Sequence, residues 1–301
     1  MTYHMTVLPA SSRAGASTIR FLLEANSQLH IQGIYRDPSK APAAFREHAN
    51  FQAVKGDVSQ ASSLDFTGSD AVFYNQPPTY DGSDLGEFAS ETATNVKNAL
   101  VAAGVKKLVI LSALGSQYES GIGVLRINHI SDEILKDAVP EVVVIRAGYF
   151  AEDFSHVFES IKADPPKIIS QFTPSDWKVP IVSVQDVGEQ SARALLERRS
   201  GVPSPHFMRL FGPRLYSSDD VQAAVKEITG TNAELVLPEK DGIVDFFAQQ
   251  FPRGVAEELA EMVVASLEGG NIAKEYEYND DTIVGKMELV DALRLKYHVA
   301  A

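Results

Sequence analysis

The sequence predicts an α/β protein: a parallel sheet wound by helices on both faces, followed by a smaller mixed α/β lobe. Two patterns carry the prediction. From residue 4 to about residue 147, short apolar runs alternate with amphipathic stretches, and such alternation builds a parallel sheet through right-handed crossovers. Past Arg146 the alternation gives way to prolines, turn residues and separate helical stretches. A length of 301 residues, 45% hydrophobic and 22% charged, gives room for one large domain or for a domain with a lobe attached.

The apolar runs lie at residues 4–8, 29–35, 71–74, 108–111 and 142–145, and a further strand ends before Lys55. Their brevity and β-branched content mark strands buried on both faces. Helical spacing places Ile19, Leu22 and Leu23 on one face over 15–24, and Val96, Leu100 and Val101 over 85–103. A shorter helix is expected over 130–136. Turn residues cluster at 164–167 and 173–178, and 200–205 reads as a loop. Helices are expected over 186–197, 218–228, 255–267 and 289–297. We therefore assign residues 1–150 to a nucleotide-binding type of domain, which the chain re-enters around 180–198, and residues 151–301 to the smaller lobe.

Forty acidic side chains against 27 basic ones leave a net charge of −13. That field repels nucleic acid and anionic lipid, so neither is expected as a partner. With no cysteine there is no disulfide, thiolate nucleophile or Cys-ligated metal. No His pair stands at ligand spacing, so no metal is expected. The chain shows no signal-peptide pattern and no apolar run of membrane-spanning length, which makes a cytoplasmic protein the expectation.

The first strand runs into Leu8-Pro9-Ala10-Ser11-Ser12-Arg13-Ala14-Gly15, which opens the first helix. A dinucleotide site needs such a turn, where bare backbone meets the pyrophosphate at a helix N-terminus. This one resembles the GxxGxxG turn of the NmrA-like branch of the atypical short-chain dehydrogenase/reductases, with Pro9, Ser12 and Gly15 at the glycine positions. The resemblance spans about residues 4–220 and implies a Rossmann-type doubly wound fold. Pro9 removes an N–H and fixes φ, and Ser12 puts a side chain where backbone would approach phosphate. Two readings of the cofactor stay open: NADP(H) is held through Ser12, Arg13 and Gly15, or the altered turn has lost it.

Arg36 ends the second strand, where an Arg suits a 2′-phosphate. With Lys40 it lies in a segment similar to the RDPSK stretch of NADP-binding NmrA-like reductases. Asp57, in Lys55-Gly56-Asp57-Val58, resembles the family's adenine-contacting Asp. Gln76, in Tyr74-Asn75-Gln76-Pro77-Pro78, falls where the chain would pass the nicotinamide ribose.

Short-chain dehydrogenases commonly pair a Tyr with a Lys four residues on. None of the ten tyrosines here is so placed. Ser112, at the end of the fifth strand, matches the superfamily's active-site Ser, with Tyr118 shortly after it. The following helix holds Asn128, His129 and Asp132, where many relatives carry a Lys. Ser112, Tyr118, Asn128 and His129 are the candidate catalytic residues, His129 because an imidazole titrates near neutrality.

Arg146-Ala147-Gly148-Tyr149-Phe150-Ala151-Glu152-Asp153-Phe154 closely resembles the RPGYFMEN-type stretch that lines the family's substrate pocket, and 179–187 resembles its IPxVxVxDVG segment. Tyr80, Tyr149, Phe150, Phe154 and Trp177 are thus candidate apolar walls, and Asp153 a polar handle, for a flat aromatic substrate. The family resemblance implies NADP-linked redox chemistry on an aromatic or polycyclic small molecule, often in natural-product metabolism. Two other functions stay open. One is a cofactor-independent isomerase, cyclase or dehydratase in the same cleft. The other is a dinucleotide-sensing regulator that binds a partner protein without turnover.

Overall fold

The computed structural model describes residues 3–25, 28–197, 203–239 and 242–300. Six strands follow the expected order: β1 (Tyr3–Leu8), β2 (Leu29–Tyr35), β3 (Phe51–Lys55), β4 (Ala71–Asn75), β5 (Lys107–Ala113) and β6 (Glu141–Ala147). In space they run β3-β2-β1-β4-β5-β6, all parallel. This is the 3-2-1-4-5-6 order of a Rossmann-type sheet, with its topological switch between β1 and β4. Two strands beyond the expected return at 180–198 extend it. His206–Phe211 pairs with β6, and Thr282–Val284 pairs with His206–Phe211, both in parallel. The expected loop over 200–205 lies partly outside the described residues.

Alternation in each strand divides the core between two faces. Val109, Leu111, Val143 and Ile145 pack with Ile19, Leu22, Val187 and Leu195 on one side. Leu108, Ile110, Val142 and Val144 pack with Val96, Leu100 and Leu135 on the other. The first side is covered by α1 (Arg13–Ala25) and by the helix Val184–Leu196. These two approach closely because Gly188 carries no side chain: a Cβ there would sit 2.2 Å from Ser17 Oγ.

The helix Leu85–Ala103 starts at Asp84, whose carboxylate accepts the Glu87 N–H, and stops at Gly104 with φ 65°. The next helix runs over Arg126–Leu135, four residues earlier than expected, after a 3₁₀ turn at Gly123–Leu125. Gly123 permits that start. Its φ is 53°, and a Cβ would lie 1.9 Å from Glu258 O of the helix Arg253–Ser266. The lobe packs its own apolar cluster, including Phe154, Phe158, Phe172 and Tyr216, beneath the helices Ser218–Thr229 and Leu289–Ala300.

Two buried carboxylates tie the lobe to the sheet. Glu152 accepts the Val184 N–H with both oxygens, at 3.1 and 2.9 Å. Asp186 accepts from Ser183 Oγ at 2.9 Å, Lys286 N at 3.0 Å and Met287 N at 3.1 Å, so it clamps the chain that follows the last sheet strand.

Candidate active site

Ser12 is the N-cap of α1. Its Oγ accepts the Gly15 N–H at 2.9 Å and donates to Pro9 O at 3.0 Å. The hydroxyl read as a phosphate contact is therefore committed to the turn itself. Gly15 keeps its packing role, since a Cβ would fall 2.3 Å from Pro9 O. Capping leaves the Arg13 and Ala14 amides without an intrahelical acceptor, at the positive end of the helix dipole. Arg13 reaches across the crevice to an ion pair with Asp153, and its guanidinium lies 5.9 Å from the centre of the Phe150 ring.

Farther along the carboxyl ends of the strands, Arg36 and Lys40 are exposed beside the 3₁₀ turn Pro38–Lys40. Ser39 holds the Asp37 carboxyl below its usual range by hydrogen bonds, with help from the charges of Lys40 and Lys55. Asp57 closes a turn of its own, accepting the Ser59 N–H at 3.0 Å. Gln76 is buried at 3% exposure. Its amide oxygen accepts the Tyr74 hydroxyl at 2.7 Å, and its nitrogen donates to Thr92 Oγ1 and Pro77 O, both at 3.0 Å. Its side chain thus braces the end of β4, and only its surface borders the crevice.

A cavity of about 350 Å³ opens where β4, β5 and β6 end. Among the sequence candidates it gathers Arg13, Tyr80, Ser112, Asn128, Tyr149, Phe150 and Asp153. Met262, Ser266, Ile272 and Tyr276 of the lobe complete its wall. Ser266 organises the far end: Tyr149 Oη meets Ser266 Oγ at 2.8 Å, while Trp177 Nε1 and Tyr276 Oη donate to Ser266 O at 2.9 and 3.0 Å. Burial pushes the Tyr149 phenol up, so it remains a neutral hydroxyl.

Other candidates sit elsewhere. Phe154 is in the lobe core, and Trp177 backs Ser266 from behind. Tyr118 donates to Glu275 at 2.6 Å, and Glu275 in turn pairs with Arg209 at 2.6 Å. That hydrogen bond, with burial, pushes the Tyr118 phenol up to about 12, which unsuits it for proton exchange near neutrality. His129 holds Ser116 O through Nδ1 at 2.9 Å and does not line the cavity. Sequence reasoning missed Ser266, Tyr276 and the lobe residues, for no local pattern announces which face of a distant helix closes a pocket.

The residues present fit NADP(H). The capped turn offers two free amides, Arg13 adds charge where glycines are missing, and Arg36 and Lys40 stand exposed where a 2′-phosphate would lie. Arg13→Ala separates this role from stability. Both partners of the Arg13–Asp153 pair are about half exposed, so its loss costs at most about 1 kcal/mol. NADPH affinity measured by calorimetry is expected to fall about tenfold, the loss of one charged phosphate contact. An unchanged affinity would remove Arg13 from the site.

Sheet order, switch point and crevice define a dinucleotide-binding protein of the Rossmann class. Residues 10–164 match the sequence profile of the NAD(P)H-binding family, and the chain belongs to that family; a curated relative supports the NmrA-like, atypical short-chain dehydrogenase/reductase assignment. It is 28% identical over 163 residues to the NmrA-like family domain-containing oxidoreductase ptmS of Penicillium ochrochloron. The match takes in 50% of this chain and 48% of ptmS, so the chain spans about half the length of that curated relative. Among solved structures it is similar to an NADPH-dependent quinone oxidoreductase of Escherichia coli complexed with NADPH (TM-score 0.76, 18% identity, 98% of this chain and 99% of that one). It is likewise similar to the triphenylmethane reductase of Citrobacter sp. complexed with NADP(H) (TM-score 0.77, 18% identity, 97% and 99%). At these identities the likeness is one of fold. Among the described residues no helix is long and apolar enough to cross a membrane.

Proposed function

We propose that this protein is an NADP(H)-linked reductase of a flat aromatic small molecule. The cavity carries the reading. It is walled by Tyr80, Tyr149, Phe150 and Tyr276, has few polar groups, and lies at the carboxyl ends of the strands beside the α1 turn. An apolar pocket with a small number of placed polar groups selects a flat, weakly polar ligand. Arg36 and Lys40 favour the phosphorylated dinucleotide.

When bound, NADP(H) supplies the hydride. The chain's own residues do the rest. Met262 and Ile272 add apolar wall against which a bound substrate would displace water. Asn128 offers an amide that can orient a substrate oxygen, and Ser112 holds an exchangeable proton. The likeness to quinone and dye reductases supports substrates of this kind.

Calorimetric titration with NADPH, NADP⁺ and NADH tests the cofactor, and NADPH oxidation with a panel of quinones and aromatic ketones tests the substrate. Micromolar binding that depends on the 2′-phosphate, with turnover of at least one quinone, is the expected result. No heat up to millimolar cofactor would end the redox reading and leave proton-transfer chemistry in the same cleft. Binding with no turnover across the panel would favour the dinucleotide-sensing regulator.

A further inference from the structure

We propose that Ser112 and Asp132 form a proton-relay pair, Ser112 exchanging a proton with the substrate in the cavity and Asp132 storing it behind. Ser112 is the catalytic residue of the pair, and Asp132 is a positioning residue that acts through it. The hydride part of the reaction rests on the proposed function above. The relay itself does not.

Ser112 is only 4% exposed, yet it lines the cavity. Its Oγ donates to Asp132 Oδ2 at 2.7 Å, and Ser116 Oγ donates to the same oxygen at 2.8 Å. Asp132, 3% exposed, leaves its other oxygen, Oδ1, buried with no hydrogen-bond partner. An unpaired buried carboxylate oxygen is costly while it is charged, and protonation relieves that cost. Here one oxygen is held on the hydroxyl of a residue that lines the cavity, which also contacts Ser116 Oγ at 3.0 Å, and the other is left bare.

The charges around Asp132 come from three directions. Arg146 of β6 reaches it through Ser116, donating from Nε to Ser116 Oγ at 3.1 Å. His129, on the same helix, is fixed to Ser116 O. Glu133, next to Asp132 on that helix, and Arg209 and Glu275 act in turn on the charge of Arg146. Burial pushes the Asp132 carboxyl up to about 6, against the opposing pull of Ser112, Ser116, Arg146 and His129. Both protonation states are therefore populated near neutrality, as a general acid–base requires.

The step balances. In the reducing direction a bound NADPH would supply a hydride to a carbonyl carbon, and the substrate oxygen would keep the electron pair of the π bond. That oxygen takes the Ser112 hydroxyl proton, and Ser112 recovers one from neutral Asp132, which becomes a carboxylate and is later reprotonated from solvent. Without a hydride donor the same pair takes a proton from an acidic substrate O–H, Ser112 passing its own to Asp132.

A cofactor-free test uses 2-naphthol, a flat phenol, titrated calorimetrically into the full chain in buffers of different ionisation enthalpy. A phenol hydroxyl donating to Ser112 strengthens the hydrogen bond to ionised Asp132 and favours that state. We expect release of a fraction of a proton on binding at pH 6 and none at pH 8.5, where Asp132 is already ionised. Asp132→Asn and Ser112→Ala should each abolish the release, and Asp132→Glu should restore part of it. Should Asp132→Asn fail to fold, Ser112→Ala still decides the matter. Absence of naphthol binding, or proton release that survives in Ser112→Ala, would overturn the relay. NADPH titrated separately keeps the two ideas apart: a chain that binds no NADPH but releases the proton retains the relay and loses the redox reading.

Discussion

Replacing Arg36 with alanine is expected to weaken NADPH binding about 10- to 100-fold while leaving NADH within about twofold. One or two charge-assisted hydrogen bonds to a phosphate contribute about 1.5–3 kcal/mol, and each 1.4 kcal/mol is a tenfold change in affinity. NADH has no 2′-phosphate, so it has nothing to lose at this position. Arg36 is exposed at the end of β2, so the variant should fold as the parent does. Lys40→Ala should move NADPH in the same direction by less, since its ammonium is a point charge on a flexible stem and not a planar fork. Calorimetry on both cofactors decides it. Equal losses for NADPH and NADH would place the 2′-phosphate elsewhere.

The largest loss of stability is expected from Asp186→Ala. Its carboxylate, 4% exposed, accepts from Ser183 Oγ and from the Lys286 and Met287 amides. Alanine removes the acceptor of two backbone donors a hundred residues away in sequence, in part-buried hydrogen bonds, at up to about 1–3 kcal/mol for each that water does not reach. A total of about 3 kcal/mol or more should appear as a lower midpoint in urea unfolding. Asp186→Asn keeps one acceptor oxygen and should lose less. Local disorder is the second expected consequence: amide exchange at Lys286 and Met287 should quicken before that of β5 or β6. A midpoint unchanged in Asp186→Ala would mean that water replaces the carboxylate.

Much of this was legible beforehand. The five apolar runs became strands within a residue or two, because a strand buried on both faces must be apolar throughout. The helix over 85–103 matched residue for residue, Asp84 and Gly104 being local signals that start and stop a helix within one turn. The Ser183 cap likewise fixes the helix Val184–Leu196 two residues ahead of the expected start.

The strands His206–Phe211 and Thr282–Val284 were not legible as part of the central sheet. His206–Phe211 carries Arg209 in mid-strand, and Thr282–Val284 is three residues long; what makes them sheet is the free edge that β6 offers. In the site, the motif positions pointed to Ser112, Asn128, Tyr149 and Phe150, and the cavity holds all four. Motif position alone put Tyr118 and His129 beside them, but Glu275 and Ser116 draw those side chains to other partners. Asp132 left a trace in the sequence as an acid on the face shared by Ile127 and Leu135, both buried, although periodicity alone does not say what such an acid is for.

The sequence by itself determined the parallel α/β plan, the altered α1 turn, the basic end of β2 and the absence of a Tyr–Lys pair, since each depends on residues adjacent along the chain. Only the tertiary structure decided that Gln76 turns inward onto Thr92, that Ser266 and Tyr276 close the cavity and that Ser112 rests on Asp132. Those facts are pairings between groups remote in sequence, settled by which buried donors and acceptors find one another once the apolar faces have packed.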